Sequence, residues 1–146
     1  MTNELIKLYE RDLDKLEKEI KAFDNEENLW RITGDIRNPA GNLCLHLCGN
    51  LNTFIGQQLG QSGYVRNREF EFKGKDVPQS ELIDQVKSTK NMVTSVLKNI
   101  QPEDFSKPYP LNFLGYEMTV GYCLTHLYGH FSYHLGQINY LRRILE

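Results

Sequence analysis

The sequence predicts an all-α protein: a four-helix bundle with a long connector between its second and third helices. Three observations predict it. Apolar residues recur at steps of three and four through most of the chain. Prolines fall where those periodic stretches begin or are interrupted, at Pro39, Pro78, Pro102, Pro108 and Pro110. One connector, from Gly60 to Val77, is long enough to cross the end of a bundle, so the third helix can run parallel to the second.

The first helix is expected from Thr2 to about Phe23, with Leu5, Leu8, Tyr9, Leu13, Leu16, Ile20 and Phe23 on one face. Charges such as the Glu10–Asp14 and Lys15–Glu19 neighbours cover the other face. The stretch DNEENLWRITGDIRNP breaks the period. Asn38 and Pro39 then read as N-cap and first helical residue of AGNLCLHLCGNLNTFIGQQL, which ends before Gly60. Gly41, Gly49 and Gly56 each lower helix propensity by about 1 kcal/mol relative to Ala. Their near-heptad spacing lets this helix lie close against a neighbour.

In the Gly60–Val77 connector, Phe70 and Phe72 alternate with charges, which predicts a short extended piece. Pro78 is expected in the first turn of the third helix, whose period runs through Leu82, Ile83, Val86, Val93, Val96, Leu97 and Ile100. Pro102, Pro108 and Pro110 exclude helix from Gln101 to Leu111. The last helix runs from about Thr119 to the end, with Cys123, His126, Leu127, His130, His134, Ile138, Leu141 and Leu145 on its inner stripe. The whole chain, 1–146, reads as one domain without internal repeat.

Composition narrows the function. Seventeen basic against nineteen acidic residues give a net charge of −2, which offers no electrostatic case for nucleic acid or a membrane surface. No apolar run approaches the roughly 20 residues of a membrane span. The charged start, MTNELIKLYERDLDK, lacks a signal-peptide core, so the expected location is the cytoplasm. Cys44, Cys48 and Cys123 are too few and odd in number for a disulfide framework, and read as small buried hydrophobes. His46 lies between the first two, about 200° around the helix from each, and so points away from both.

The chemistry concentrates in HLYGHFSYH, where His126, His130 and His134 stand four apart. With 4 histidines in 146 residues, a given His has His at both i+4 and i+8 by chance about once in a thousand. Residues four apart on a helix differ by about 40° in azimuth and 6 Å in height, so two such imidazoles can converge on one ion at Zn–N distances of about 2.0–2.1 Å. A third at i+8 stands about 12 Å from the first and is left over. Either pair fits. His46, on the second helix, can supply a third ligand from a facing helix, leaving an open position as in catalytic zinc sites. Core histidines with hydrogen bonds are the competing reading. Nor is the run HExxH, so a zincin peptidase is disfavoured. Asn50, Tyr128 and Tyr133 are candidate polar groups near such a site, and Gln137 and Asn139 candidate partners that orient an imidazole.

These features together resemble the DinB-like superfamily, which includes the YfiT-like proteins. The resemblance rests on a His midway along the second helix in NLCLHLCGNLNTFI, on His-x-x-x-His followed by Gly-Gln in HFSYHLGQINYLRRIL, and on the helix layout. It spans essentially the whole chain. It implies an up-down-down-up bundle holding a divalent metal, zinc or nickel, on His46, His130 and His134. His126 is then spare, beside the ligands or in the core. Asn50 and Gln137 are the expected outer partners. Relatives implied by the resemblance include transferases that use a low-molecular-weight thiol such as bacillithiol, and metal-dependent hydrolases. A small-molecule substrate and a homodimer are the implied partners. A non-catalytic bundle, with a structural metal or none, is the alternative.

Overall fold

The computed structural model describes residues 1–146 and contains no strand. Helix α1 (Thr2–Lys21) buries Leu5, Tyr9, Leu13, Leu16 and Ile20, the stripe its sequence predicts. A single 3-10 turn at Glu26–Trp30 follows, capped by the Asn25 side chain. Helix α2 (Ala40–Leu51) continues through a π-helical stretch (Asn52–Gln57) into a last α turn (Gln58–Gly60). Helices α3 (Arg68–Lys73), α4 (Gln79–Lys98) and α5 (Val120–Leu145) complete the chain, with a 3-10 turn at Pro102–Ser106 between the last two.

Two boundaries and one element differ from the sequence reading. Pro39 and Pro78 are themselves the N-caps, with ψ of 159° and 141°, and the helices begin one residue later. The Phe70–Phe72 piece is helical rather than extended. Asn67 caps it by accepting a hydrogen bond from the Phe70 N–H at 3.1 Å. Its inward residue is Glu71, while Phe70 is exposed, so alternation of aromatics misled about which side chain is buried.

Within α2, two successive side chains bond back to carbonyls four residues earlier: Asn52 Nδ2 to Cys48 O at 2.8 Å and Thr53 Oγ1 to Gly49 O at 2.7 Å. That competition with the backbone accompanies the switch to π geometry.

Side-chain pairs fix the helix directions. Lys87–Glu17, Lys90–Asp14 and Thr94–Glu10 run α4 antiparallel to α1. Tyr9 with Leu124, Asp12 with Tyr128 and Glu19 with Arg142 run α5 parallel to α1. Asn52 bonds Thr89, Gly56 faces Met92 and Gly60 faces Val96, so α2 and α4 are parallel. The order is up-down-down-up, and the parallel α2–α4 pair is what the long connector permits. The glycines act as their spacing suggests. A Cβ at Gly60 would stand 2.5 Å from Val96 Cγ2, so the two helices close on each other only because none is there.

Thirty buried hydrophobic residues form one core that every long helix enters. Beside it, Asp12 is 2% exposed on α1. It accepts from Tyr128 Oη at 2.6 Å and from Arg11 Nε at 2.8 Å. Burial alone raises the pKa of this carboxyl, but the bonds from Arg11 and Tyr128 outweigh burial and leave it below the ordinary value.

Two outcomes are expected. Leu16→Ala, at a fully buried site, should cost about 2–5 kcal/mol of unfolding free energy in urea titration. Asp12→Asn should destabilise at pH 7. Because the folded-state pKa is depressed, the Asp12 contribution is present above the unfolded value and lost as pH falls through the folded one. The stability gap between Asp12→Asn and the parent chain should therefore narrow as pH drops below about 4.

Candidate metal centre

Helices α2 and α5 face each other, and their histidines meet in the seam. His46 on α2 is 6% exposed, and His130 and His134 on α5 are half-buried. His46 Nε2 stands 3.1 Å from His130 Nε2. The three imidazoles lie edge-on to one another, with ring centres 5.0 Å (His46–His130), 5.4 Å (His46–His134) and 4.5 Å (His130–His134) apart. One nitrogen from each falls within 4.8 Å of the others.

The tautomers follow from what holds the far side of two rings. His46 Nδ1 is 3.0 Å from Glu71 Oε1, and His134 Nδ1 is 2.7 Å from Gln137 Oε1. Both partner oxygens accept only, so each Nδ1 carries the proton and donates. In a neutral ring so protonated, Nε2 keeps its lone pair. Burial first, then the neighbouring imidazoles of His134 and His46, push the His130 pKa down to about 4. Burial, with the proximity of His46, also lowers that of His134, although the Gln137 bond opposes it. His130 and His134 are neutral at pH 7, the state a metal ligand requires.

This donor set fits a divalent cation. Adjacent ligand atoms on one ion with M–N distances of about 2.0–2.1 Å stand about 2.9–3.4 Å apart, and the His46–His130 nitrogens have that spacing. Neutral imidazoles suit zinc, nickel, copper or iron over magnesium or calcium. His130 Nδ1 is buried without a hydrogen-bond partner. In the Nδ1–H form its Nε2 lone pair faces that of His46, an arrangement a cation between them stabilises.

The other residues singled out by the sequence separate clearly. His126 is half-buried one turn before His130 and stands outside the group of three; its ring lies 6.1 Å from that of Phe113. Gln137 holds His134. Asn50 is 7% exposed, and its Oδ1 is the other buried side-chain atom without a partner. Tyr128 serves Asp12, and Asn139 donates to Glu19 Oε1 at 2.6 Å, so both belong to the α1–α5 seam. Tyr133 is exposed beside His134, with ring centres 5.3 Å apart. The cysteines are buried and free, and burial pushes Cys123 up to about 12, too high for a nucleophile at neutral pH.

The sequence reading missed Glu71 and Arg66, both in the connector. Glu71 is 4% exposed. Arg66 grips it with two bonds of 2.9 Å, Nε to Oε2 and Nη2 to Oε1. Burial raises the Glu71 pKa, but the bonds from His46 and Arg66 overcome it and hold the group ionised. One signal was available: Gly49, three residues after His46, marks a side chain pressed against the helix there.

The tautomers are open to direct measurement. Long-range proton–nitrogen correlation spectra of metal-free protein at pH 7.5 should show His46 and His134 protonated on Nδ1.

The family model described as "Protein of unknown function (DUF1572)" matches residues 2–146. No curated protein matches the chain. Among solved structures, the fold is similar to that of YfiT from Bacillus subtilis, described as a probable metal-dependent hydrolase with an unusual four-helix bundle topology. The TM-score is 0.78 at 16% identity, over 99% of this chain and 87% of that one. The likeness is of fold, and it includes the helix order derived above from side-chain pairs. With the family model matching nearly every residue, the chain belongs to the DUF1572 family, a DinB-like family of four-helix bundles.

Proposed function

We propose that the chain is a metal-dependent enzyme whose divalent ion, zinc or nickel, is held by His46, His130 and His134. The observation that carries this reading is the convergence of three imidazole nitrogens, two with their tautomer fixed by an acceptor on the far side. The family resemblance and the description of YfiT support it. A divalent ion there supplies Lewis acidity to a water, a thiol or a carbonyl group. Hydrolysis of a small molecule is the leading reading, because YfiT is described as a hydrolase. Transfer of a low-molecular-weight thiol such as bacillithiol is the second, since the same ion chemistry stabilises a thiolate.

The chain's own residues divide the work. The three histidines hold the ion, Glu71 and Gln137 orient two of them, and the apolar seam of α2 and α5 limits water. A cleft of about 470 Å³ is lined by Gln137, the residue that bonds His134, with Asp35, Arg37, Leu43 and Tyr140; the three histidines are not in its walls. Its size suits a small-molecule substrate, and Arg37 offers a positive charge to an anionic group.

Untagged protein incubated with zinc or nickel should hold close to one ion per chain by elemental analysis. His130→Ala should reduce this below about 0.2 per chain, while His126→Ala should retain it. Removal of the ion should abolish turnover of a hydrolytic or thiol-transfer substrate panel and leave the helical circular dichroism intact. An unfolded metal-free chain would instead assign the ion a structural role.

A further inference from the structure

We propose that Glu71 is a positioning residue of the metal centre, held by Arg66 and given room by Gly49, so that α3 is a working part of that centre. This rests on the reading of His46 as a metal ligand. A buried carboxylate is costly unless fully paired. An ion pair would be complete with Arg66 alone, which already occupies both oxygens. Glu71 nevertheless directs Oε1 to His46 Nδ1 as well, at 3.0 Å, on the ring whose Nε2 faces His130.

Helix α2 is built to receive this carboxylate. Asn42, His46 and Gly49 follow at i, i+4 and i+7, along one face of the helix. Asn42 Nδ2 donates to Glu71 O at 3.0 Å and to Gly74 O at 2.8 Å, and Lys75 Nζ donates to Asn42 Oδ1 at 2.8 Å. These bonds clamp the backbone of the connector at the acid itself and three residues beyond it. His46 takes the carboxylate. At Gly49 a Cβ would stand 2.6 Å from Glu71 Cδ, inside any tolerated contact, so any other residue there displaces the acid. Phe72 closes the arrangement, its ring 4.7 Å from that of His46.

The chemistry of this contact is specific. A carboxylate that accepts from Nδ1 of a ligating imidazole fixes the tautomer and raises the basicity of Nε2, and loss of such a partner typically weakens metal binding 10–100-fold. Gln137 gives His134 a neutral version of the same support. His46 is thus the ligand with the strongest outer partner.

The test is zinc affinity by chelator competition on metal-stripped, reconstituted full-length protein, with His46 tautomer read by nitrogen NMR in the metal-free form. Glu71→Leu and Gly49→Ala should each weaken zinc binding 10–100-fold and let His46 populate the Nε2–H tautomer. Glu71→Gln, which keeps an acceptor but loses the charge, should fall between them and the parent chain, while the exposed Glu69→Gln should match the parent. Glu71→Gln also keeps the test open should Glu71→Leu fail to fold. Parent-like affinity within about twofold in Glu71→Gln and Gly49→Ala, with His46 still Nδ1–H, would overturn the proposal. A parent chain that binds no zinc or nickel would instead overturn the metal reading beneath it.

Discussion

The imidazole of His46 is the pivot of this molecule. One nitrogen faces His130 at 3.1 Å across the seam of α2 and α5, and the other donates to Glu71 from the connector at 3.0 Å. The acceptor on one edge fixes the tautomer of the ring, and the second imidazole packed against the other edge fixes its orientation. Three separate pieces of chain must be in place for that: two bundle helices and the segment that joins α2 to α4.

The helix order makes the arrangement possible. Because α2 and α4 run in parallel, the chain must return along the bundle between them, and the return path carries α3 across the outer side of α2. A short hairpin would place no residue at that position. The connector therefore does two jobs at once, closing a parallel crossover and delivering Arg66 and the buried Glu71 to the site. Helix α5 is held independently, through Tyr9, Asp12 and Glu19 of α1. The two walls of the histidine seam are braced from opposite sides of the bundle. That bracing holds the three histidines within a core that has its own apolar contacts.

Much of this was legible in residue spacing. The 3.6-residue period marked the four long helices, and Pro39 and Pro78 placed the starts of α2 and α4 to within a residue, since a ring that lacks an N–H and fixes φ acts locally. Of the residues singled out, the structure brings His46, His130 and His134 together and sets Gln137 against His134, whereas His126 stands aside and Tyr128 and Asn139 serve the α1–α5 seam. Phe70 and Phe72 were misread as a strand because alternation was weighed without knowing that His46 and Arg66 would draw Glu71 inward. Burial of a charge depends on partners far away in sequence, and no local pattern announces them.

What the sequence determined by itself is therefore what short-range physics sets: helix periodicity, breaks at proline, near neutrality of charge, and an i, i+4, i+8 histidine stripe that has to share one helix face. What the tertiary structure decided is which of those histidines meet His46, which acceptor sets the His46 tautomer, and why Gly49 lacks a side chain. Those outcomes depend on distances between elements 25 to 88 positions apart in the chain, as in the Glu71–His46 contact and the His46–His134 pair. Such distances exist only after the helices have packed, because a charge or a lone pair is positioned by whatever surrounds it in space.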